Sequence, residues 1–276
     1  MPEVELSAGT IEYDDTGGDG RVLVLLHGLG MDSTLWRHVV AELRDTYRCV
    51  VPTLPLGSHR YPMKPDADLT LHGHARLVAE LLDRLDLRDV TVVQNDINIA
   101  VPLVNGHPER VARLVLVACE AFDNYPPGMP GKVLKRAAQV PGGLWAVYQP
   151  LRSRAMRRRP PFGLLAKRPI PDEITDRWLR PLIGERYARH DLRKYARSAG
   201  TRQMVEACGR LRSFTRPALV VWAPEDRMMP PAHGRRLAEV LPDAELVEIE
   251  DSWTLIPEDQ PGALAAALRS FLERTA

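Results

Sequence analysis

Six short stretches of this 276-residue chain carry side chains able to do acid, base or nucleophilic chemistry. They are His27-Gly28-Leu29-Gly30, His59, Asp96, Glu120 with Asp123, Asp226, and Asp251-Ser252-Trp253-Thr254. Asp96 is the sharpest. It stands where the apolar run 90–93 passes through Gln94-Asn95 into a helical pattern, so its carboxylate should project from a strand end at the positive end of a helix. There it would stay ionised and available as a nucleophile. The amide of Ile97 would point at the same spot, and an amide from Leu29 would complete an oxyanion or halide site. Position alone equally allows Asp96 to be a helix cap.

The elements that must position these groups alternate between strand and helix. Continuous apolar runs at 21–27, 48–52, 90–93, 113–119, 218–222 and 244–249 read as buried parallel strands. Helical patterns at 33–47 (Asp32 or Ser33 as cap), 69–87 and 261–274 lie between or after them, and 4–13 reads as an antiparallel pair at the sheet edge. Such alternation predicts an α/β fold, a parallel sheet with helices on both faces. Ligands then collect at the carboxyl ends of the strands, where all six stretches fall. The interval 122–214 lacks a strand, is rich in Pro and Arg, and has helical segments near 131–139, 172–183 and 191–212. It reads as a helical insertion.

The order of these pieces resembles the α/β-hydrolase fold superfamily. The resemblance rests on the His27-Gly28 loop after a long strand, the strand–Asp96–helix elbow and the connection 105–117. It also rests on Ala223-Pro224-Glu225-Asp226-Arg227 and on the Pro257–Pro261 stretch opening the last helix. It implies a core domain of 1–121 with 215–276 and a helical cap of 122–214. An aspartate at the elbow is similar to the haloalkane dehalogenase and epoxide hydrolase branch, in which that residue forms an alkyl-enzyme ester. A histidine then activates water to release the ester, supported by an acid. By resemblance, Asp226 fills one acid position and Glu120 the other.

The histidine is missing. Counting back from Gln260-Pro261 puts Thr254 near its place, and no histidine follows His233. Thr254 cannot accept a proton near neutral pH. Relatives also carry glycine two residues either side of the nucleophile, where this chain has Gln94 and Asn98. No serine elbow is present, which excludes a Ser-His-Asp esterase. His59 and His190 are the candidate substitute bases, His27 belongs to the anion-site loop, and Trp253 and Thr254 stand at the rim. Trp145, Tyr148 and Trp178 either line an apolar cavity or hold the inserted helices together. Two functions stay open. One is an enzyme acting on a small, largely apolar substrate through Asp96 as nucleophile or general base, with impaired or atypical hydrolysis. The other is a catalytically degenerate homologue that binds a ligand or partner.

Composition bounds the rest. Cys49, Cys119 and Cys208 are far apart and odd in number, giving neither a disulfide framework nor a zinc signature. No dinucleotide or phosphate loop exists, so no cofactor or metal is expected. The first residues lack a basic region followed by an apolar stretch, so no secretory signal is expected, and no apolar run is long enough to span a bilayer. A cytoplasmic protein with a small-molecule ligand, no nucleic acid and a possible homodimer is the expectation. The formal charge of +1 conceals an asymmetry: residues 132–213 carry a net +14 and the remainder −13. The run 152–159 is read as a solvated basic face rather than a partner site.

Overall fold

A computed structural model of the chain describes residues 1–275. One sheet holds β1 (Glu3–Leu6), β2 (Gly9–Asp15), β3 (Val22–Leu26), β4 (Arg48–Pro52), β5 (Val90–Asp96), β6 (Val111–Cys119), β7 (Ala218–Trp222) and β8 (Ala244–Glu248). Their order across the sheet is β1-β2-β4-β3-β5-β6-β7-β8. β2 pairs antiparallel with both β1 and β4, and all other pairs are parallel. Alternate side chains of the central strands go to opposite faces. Val24, Val92, Leu116 and Val220 join one apolar cluster, while Leu25, Val93, Val117 and Val221 join the other. Both faces are therefore dry, which is why these strands read as unbroken apolar runs.

The helices on the faces are α1 (Arg37–Leu43), α2 (Leu71–Arg84) and α3 (Ala100–Gly106). Between β6 and β7 come α4 (Gly128–Gln139), α5 (Gly143–Tyr148), α6 (Arg154–Arg157), α7 (Asp172–Gly184), α8 (Arg186–Ser198) and α9 (Thr201–Arg210). The chain closes with α10 (Pro231–Val240), α11 (Ile256–Asp259) and α12 (Pro261–Arg274).

Three local expectations need correction. The helix expected at 33–47 is a 3₁₀ turn at Ser33–Trp36 running into α1, with Asp32 accepting from the Thr34 amide. The segment 191–212 is not one helix: Ala199 leaves helical geometry with ψ 127° and Gly200 starts α9 anew. Helix α5 falls outside the helical segments expected at 131–139, 172–183 and 191–212; Gly142, at φ 74°, starts it.

Helices α7 and α8 are fastened to the sheet by buried polar contacts. Trp178 is fully buried and its indole N–H donates to Thr34 Oγ1 at 2.8 Å and to Asp32 Oδ1 at 3.2 Å. The Ser58 hydroxyl donates to the Trp178 carbonyl at 2.7 Å. Buried Asp191 accepts from the Met63 amide at 3.0 Å and from His59 Nε2 at 3.1 Å. Leu182 fills the space over Gly57, where φ is 116° and a Cβ would meet the leucine at 2.8 Å.

Replacing Asp191 by alanine strands the Met63 and His59 donors in a buried site. The expected cost is about 2–4 kcal/mol in chemical denaturation. Asp191→Asn keeps an acceptor and should cost clearly less; equal losses for the two variants would refute this account.

Candidate active site

Strand β5 ends at Asp96 in the left-handed region, φ 67°, with its register against β6 slipping between Asn95 and Asp96. A non-glycine residue is rarely held there, and neighbouring side chains hold this one. Gln94 donates through Nε2 to the Asn95 carbonyl at 3.0 Å and the Leu26 carbonyl at 3.2 Å, while its Oε1 accepts from the Ile99 amide at 3.2 Å. Asn98 accepts from the Val101 amide at 3.1 Å and donates to the Glu120 carbonyl at 2.8 Å. The two residues standing in place of the expected glycines thus act as straps across the elbow.

The loop after β3 comes close to the same carboxyl. A Cβ on Gly28 would lie 2.3 Å from Asp96 Oδ2, so only glycine fits there. This approach lets the Leu29 amide donate to Asp96 Oδ2 at 2.9 Å. The Ile97 side of the expected pair differs: the aspartate oxygen is held by Leu29, and Ile97 contributes to the cavity wall. His27 braces the loop. Its Nδ1 donates to the Gly28 carbonyl at 2.7 Å and its Nε2 accepts from the Leu54 amide at 2.8 Å. Burial, the leading cause, pushes its pKa down to about 4. It is a neutral structural side chain.

Asp96 and Glu120 lie on the floor of a cavity of about 620 Å³ between the carboxyl end of the sheet and the inserted helices. Its walls are largely apolar, with Met129, Val133 and Leu134 on one side and the rings of Tyr148 and Tyr195 above the acids. Burial drives the Asp96 pKa up to about 7, aided by the charge of Asp226 and opposed by the Leu29 hydrogen bond. The expectation that a helix terminus keeps this carboxylate ionised is thereby corrected. Helix α3 is seven residues long, and desolvation outweighs its field.

Glu120 follows β6, and its Oε2 accepts from the Tyr195 hydroxyl at 3.2 Å. Burial first, and then the Asp96 charge, hold it well above the usual carboxylate range. The neighbouring Cys119 thiol is raised well above its ordinary value, again chiefly by burial, and is no competing nucleophile.

Asp226 sits in the loop after β7. Its Oδ1 accepts from the Met228 and Met229 amides at 2.7 and 2.9 Å and from the Thr254 hydroxyl at 2.9 Å. Its Oδ2 is buried without a partner among the described residues. Burial, opposed by those three bonds, pushes its pKa up to about 6. Thr254 is fully buried, and its carbonyl accepts from Asn95 Nδ2 at 2.8 Å. Trp253 is turned away, with the Arg227 guanidinium 4.5 Å from its ring centroid.

Neither candidate base meets Asp96. His59 is tied to Asp191, with its Nδ1 accepting from the Gly57 amide at 3.3 Å, and His190 is exposed on α8. Among the described residues no histidine lines the cavity, and no group of three or more His, Cys, Asp or Glu is placed to hold a metal ion. Trp178 serves packing, Tyr148 lines the cavity, and Trp145 does neither, being exposed. Sequence reasoning missed Tyr195. Its one trace is the stripe Ala188, Leu192, Tyr195, Ala199 on an otherwise charged segment.

Comparison with known proteins agrees with this architecture. A family model described as the alpha/beta hydrolase family matches residues 23–267. The chain is 29% identical to a cis-3-alkyl-4-alkyloxetan-2-one decarboxylase of Xanthomonas campestris, covering 96% of this chain and 92% of that one. It is 27% identical to a 2-hydroxy-6-oxononadienedioate/2-hydroxy-6-oxononatrienedioate hydrolase of Burkholderia vietnamiensis, covering 86% and 81%. In structure it is similar to the haloalkane dehalogenase DbeA of Bradyrhizobium elkani, with a TM-score of 0.80 at 19% identity over 99% of this chain and 96% of the other.

The raised carboxyl pKa values fix a pH dependence. A carboxyl whose folded pKa exceeds its unfolded value favours folding below the unfolded pKa, near 4, and loses that contribution as pH rises through the folded value. With Asp226 at about 6 and Asp96 at about 7, unfolding free energy should fall steadily between pH 4 and pH 8. Asp96→Asn should add about 2–4 kcal/mol at pH 8 and little at pH 4. Denaturant titrations at the two pH values test this, and an equal effect at both would contradict the burial argument.

Proposed function

The chain belongs to the alpha/beta hydrolase family, and from that premise we propose that Asp96 is a nucleophile acting on a small, largely apolar organic molecule beneath a cap formed by residues 122–214. The observation that carries this reading is the state of the carboxyl. Oδ2 is pinned by the Leu29 amide at the elbow, while Oδ1 makes no hydrogen bond among the described residues and Asp96 lines the cavity. A carboxylate oriented by one fixed donor, with its other oxygen free, has the geometry of an attacking group.

The first step transfers a carbon to Asp96. Oδ1 attacks an electrophilic carbon, the bond from that carbon to its leaving atom breaks, and the electron pair departs with the leaving atom. Oδ2 becomes the ester carbonyl oxygen, still held by the Leu29 amide. A leaving oxygen is better served here than a leaving halide, because the Tyr195 hydroxyl and the Glu120 carboxyl, whose proton-bound form burial favours, can donate to it. The usual second step, attack of water on the ester, lacks its base: Thr254 is the side chain that Asp226 holds.

A strained cyclic ester needs no such base. If Oδ1 opens an oxetan-2-one at its ring C–O carbon, the released carboxylate can expel CO₂. The electrons of the broken C–C bond then form an alkene, and the C–O bond to Asp96 breaks, restoring the carboxylate without water. The name of the Xanthomonas relative describes an enzyme acting on that substrate class. The competing reading, a binding protein without catalysis, rests on Thr254 in place of the histidine and on Gln94 and Asn98 in place of the elbow glycines.

Intact-mass spectrometry after incubation with epoxides, haloalkanes and oxetan-2-ones separates the two. An epoxide should leave an adduct of its own mass on Asp96, absent in Asp96→Asn, and an oxetan-2-one should release alkene and CO₂. Unchanged mass and no turnover across the panel would sink the nucleophile reading. The labelling rate should rise with pH through about 7 as Asp96 ionises. Thr254→His should shorten the lifetime of the epoxide adduct roughly tenfold or more, at an overpacking cost of about 1–3 kcal/mol.

A further inference from the structure

The inserted helices carry an outward surface that neither packing nor the cavity floor uses. On α4 and its C-cap the exposed side chains Met129, Lys132, Val133, Arg136 and Val140 stand at i, i+3, i+4, i+7 and i+11, forming one stripe in which apolar and basic residues alternate. Trp145, on the next helix, is 53% exposed, and Met129 and Val140 are 67% and 58% exposed. With Val133 these are the large exposed hydrophobics of the segment 122–150, set where the chain is strongly basic. Arg152 and Arg159 follow shortly after. Among the described residues no ion pair neutralises Lys132, Arg136, Arg152 or Arg159. By contrast, Arg154 is paired with Asp172 and Asp176.

We propose that this face of α4 and α5 docks on an anionic lipid surface, with Met129, Val140 and Trp145 entering the interfacial layer while Lys132 and Arg136 meet lipid phosphates. Charge complementarity selects the partner. Basic side chains flanking exposed Trp, Met and Val are what an anionic bilayer attracts and then accommodates. A second copy using the same patch would bring two basic faces together. A nucleic acid would leave the apolar half of the stripe unsatisfied.

The placement also has a use. Met129 and Val133 belong both to this face and to the cavity wall, so the apolar entrance would open at the membrane, where an apolar substrate is most concentrated. Docking is independent of whether Asp96 reacts, and its test does not require turnover.

The test is flotation of the whole protein with phosphatidylcholine vesicles made with or without phosphatidylglycerol, at low and high salt. Binding should require phosphatidylglycerol and weaken with salt. Trp36, Trp178 and Trp222 are buried and Trp253 is half-buried beside the Arg227 guanidinium, so the part of the quenching by chain-brominated phosphatidylcholine that belongs to Trp145 is read as the difference from Trp145→Phe. Quenching should fall in Trp145→Phe. Lys132→Glu with Arg136→Glu should weaken binding roughly tenfold or more while leaving the melting temperature and Asp96 labelling by a water-soluble epoxide unchanged. Absence of binding to anionic vesicles at low salt would overturn the proposal. So would binding without Trp145 quenching, or binding to heparin or DNA with none to vesicles.

Discussion

The close approach of the loop after β3 to the end of β5 is the constraint on which the site depends. Three residues make it possible. Gly28 leaves room for the Asp96 carboxyl, His27 locks the loop through both ring nitrogens, and Gln94 joins the ends of β3 and β5 to the start of α3. The Leu29 amide reaches Asp96 Oδ2 because these contacts hold both backbones in place. The elbow can therefore dispense with the flanking glycines. Its left-handed residue is stabilised by side-chain hydrogen bonds rather than by the freedom of its neighbours.

Burial then sets the chemistry. Asp96, Glu120 and Asp226 are gathered where little water reaches, and among the described residues no basic side chain is paired with them. Desolvation raises all three, but unequally. Asp226 has three donors and rises least, Asp96 has one, and Glu120, with a single tyrosine hydroxyl, rises well above its usual range. Burial, joined at Glu120 by the charge of Asp96, thus holds the two neighbouring carboxyls at different levels, the kind of division that acid–base chemistry requires. The rings of Tyr148 and Tyr195, brought by α5 and α8, are part of what excludes water from above.

Much of this was legible in the residues. The apolar runs identified the parallel sheet because a strand buried on both faces has no polar alternation to hide it. Asp96 could be read because a strand, a turn and a helix meet there, and Thr254 because its distance from Pro261 could be counted. What escaped was tertiary. Nothing local in His59 or Asp191 announces a bond between residues 132 apart in sequence. Glu120 takes the sequence position that the resemblance gives to a supporting acid, and nothing local announces the tyrosine from α8 that donates to it or the nearby charge of Asp96. Its role depends on how the insertion folds over, and Pro- and Gly-rich connections leave that path undetermined by pattern.

The division of charge along the chain has a structural use of its own. Part of the positive charge of the inserted helices is consumed at their seam with the sheet. There Arg177 meets Asp32 at 2.5 Å, Lys167 meets Glu225 and Asp251 at 2.8 and 3.0 Å, and Arg168 meets Asp251 at 2.5 Å. These pairs are individually worth little, but they clamp the insertion both near the end of β3 and near the ends of β7 and β8, and together favour a seated insertion over a lifted one. The remaining charge lies on the outer side, on α4 and beyond, where the core supplies no acids to meet it. A near-neutral protein can thus be strongly polarised. One basic surface closes the site, and another is left free to attract what lies outside it.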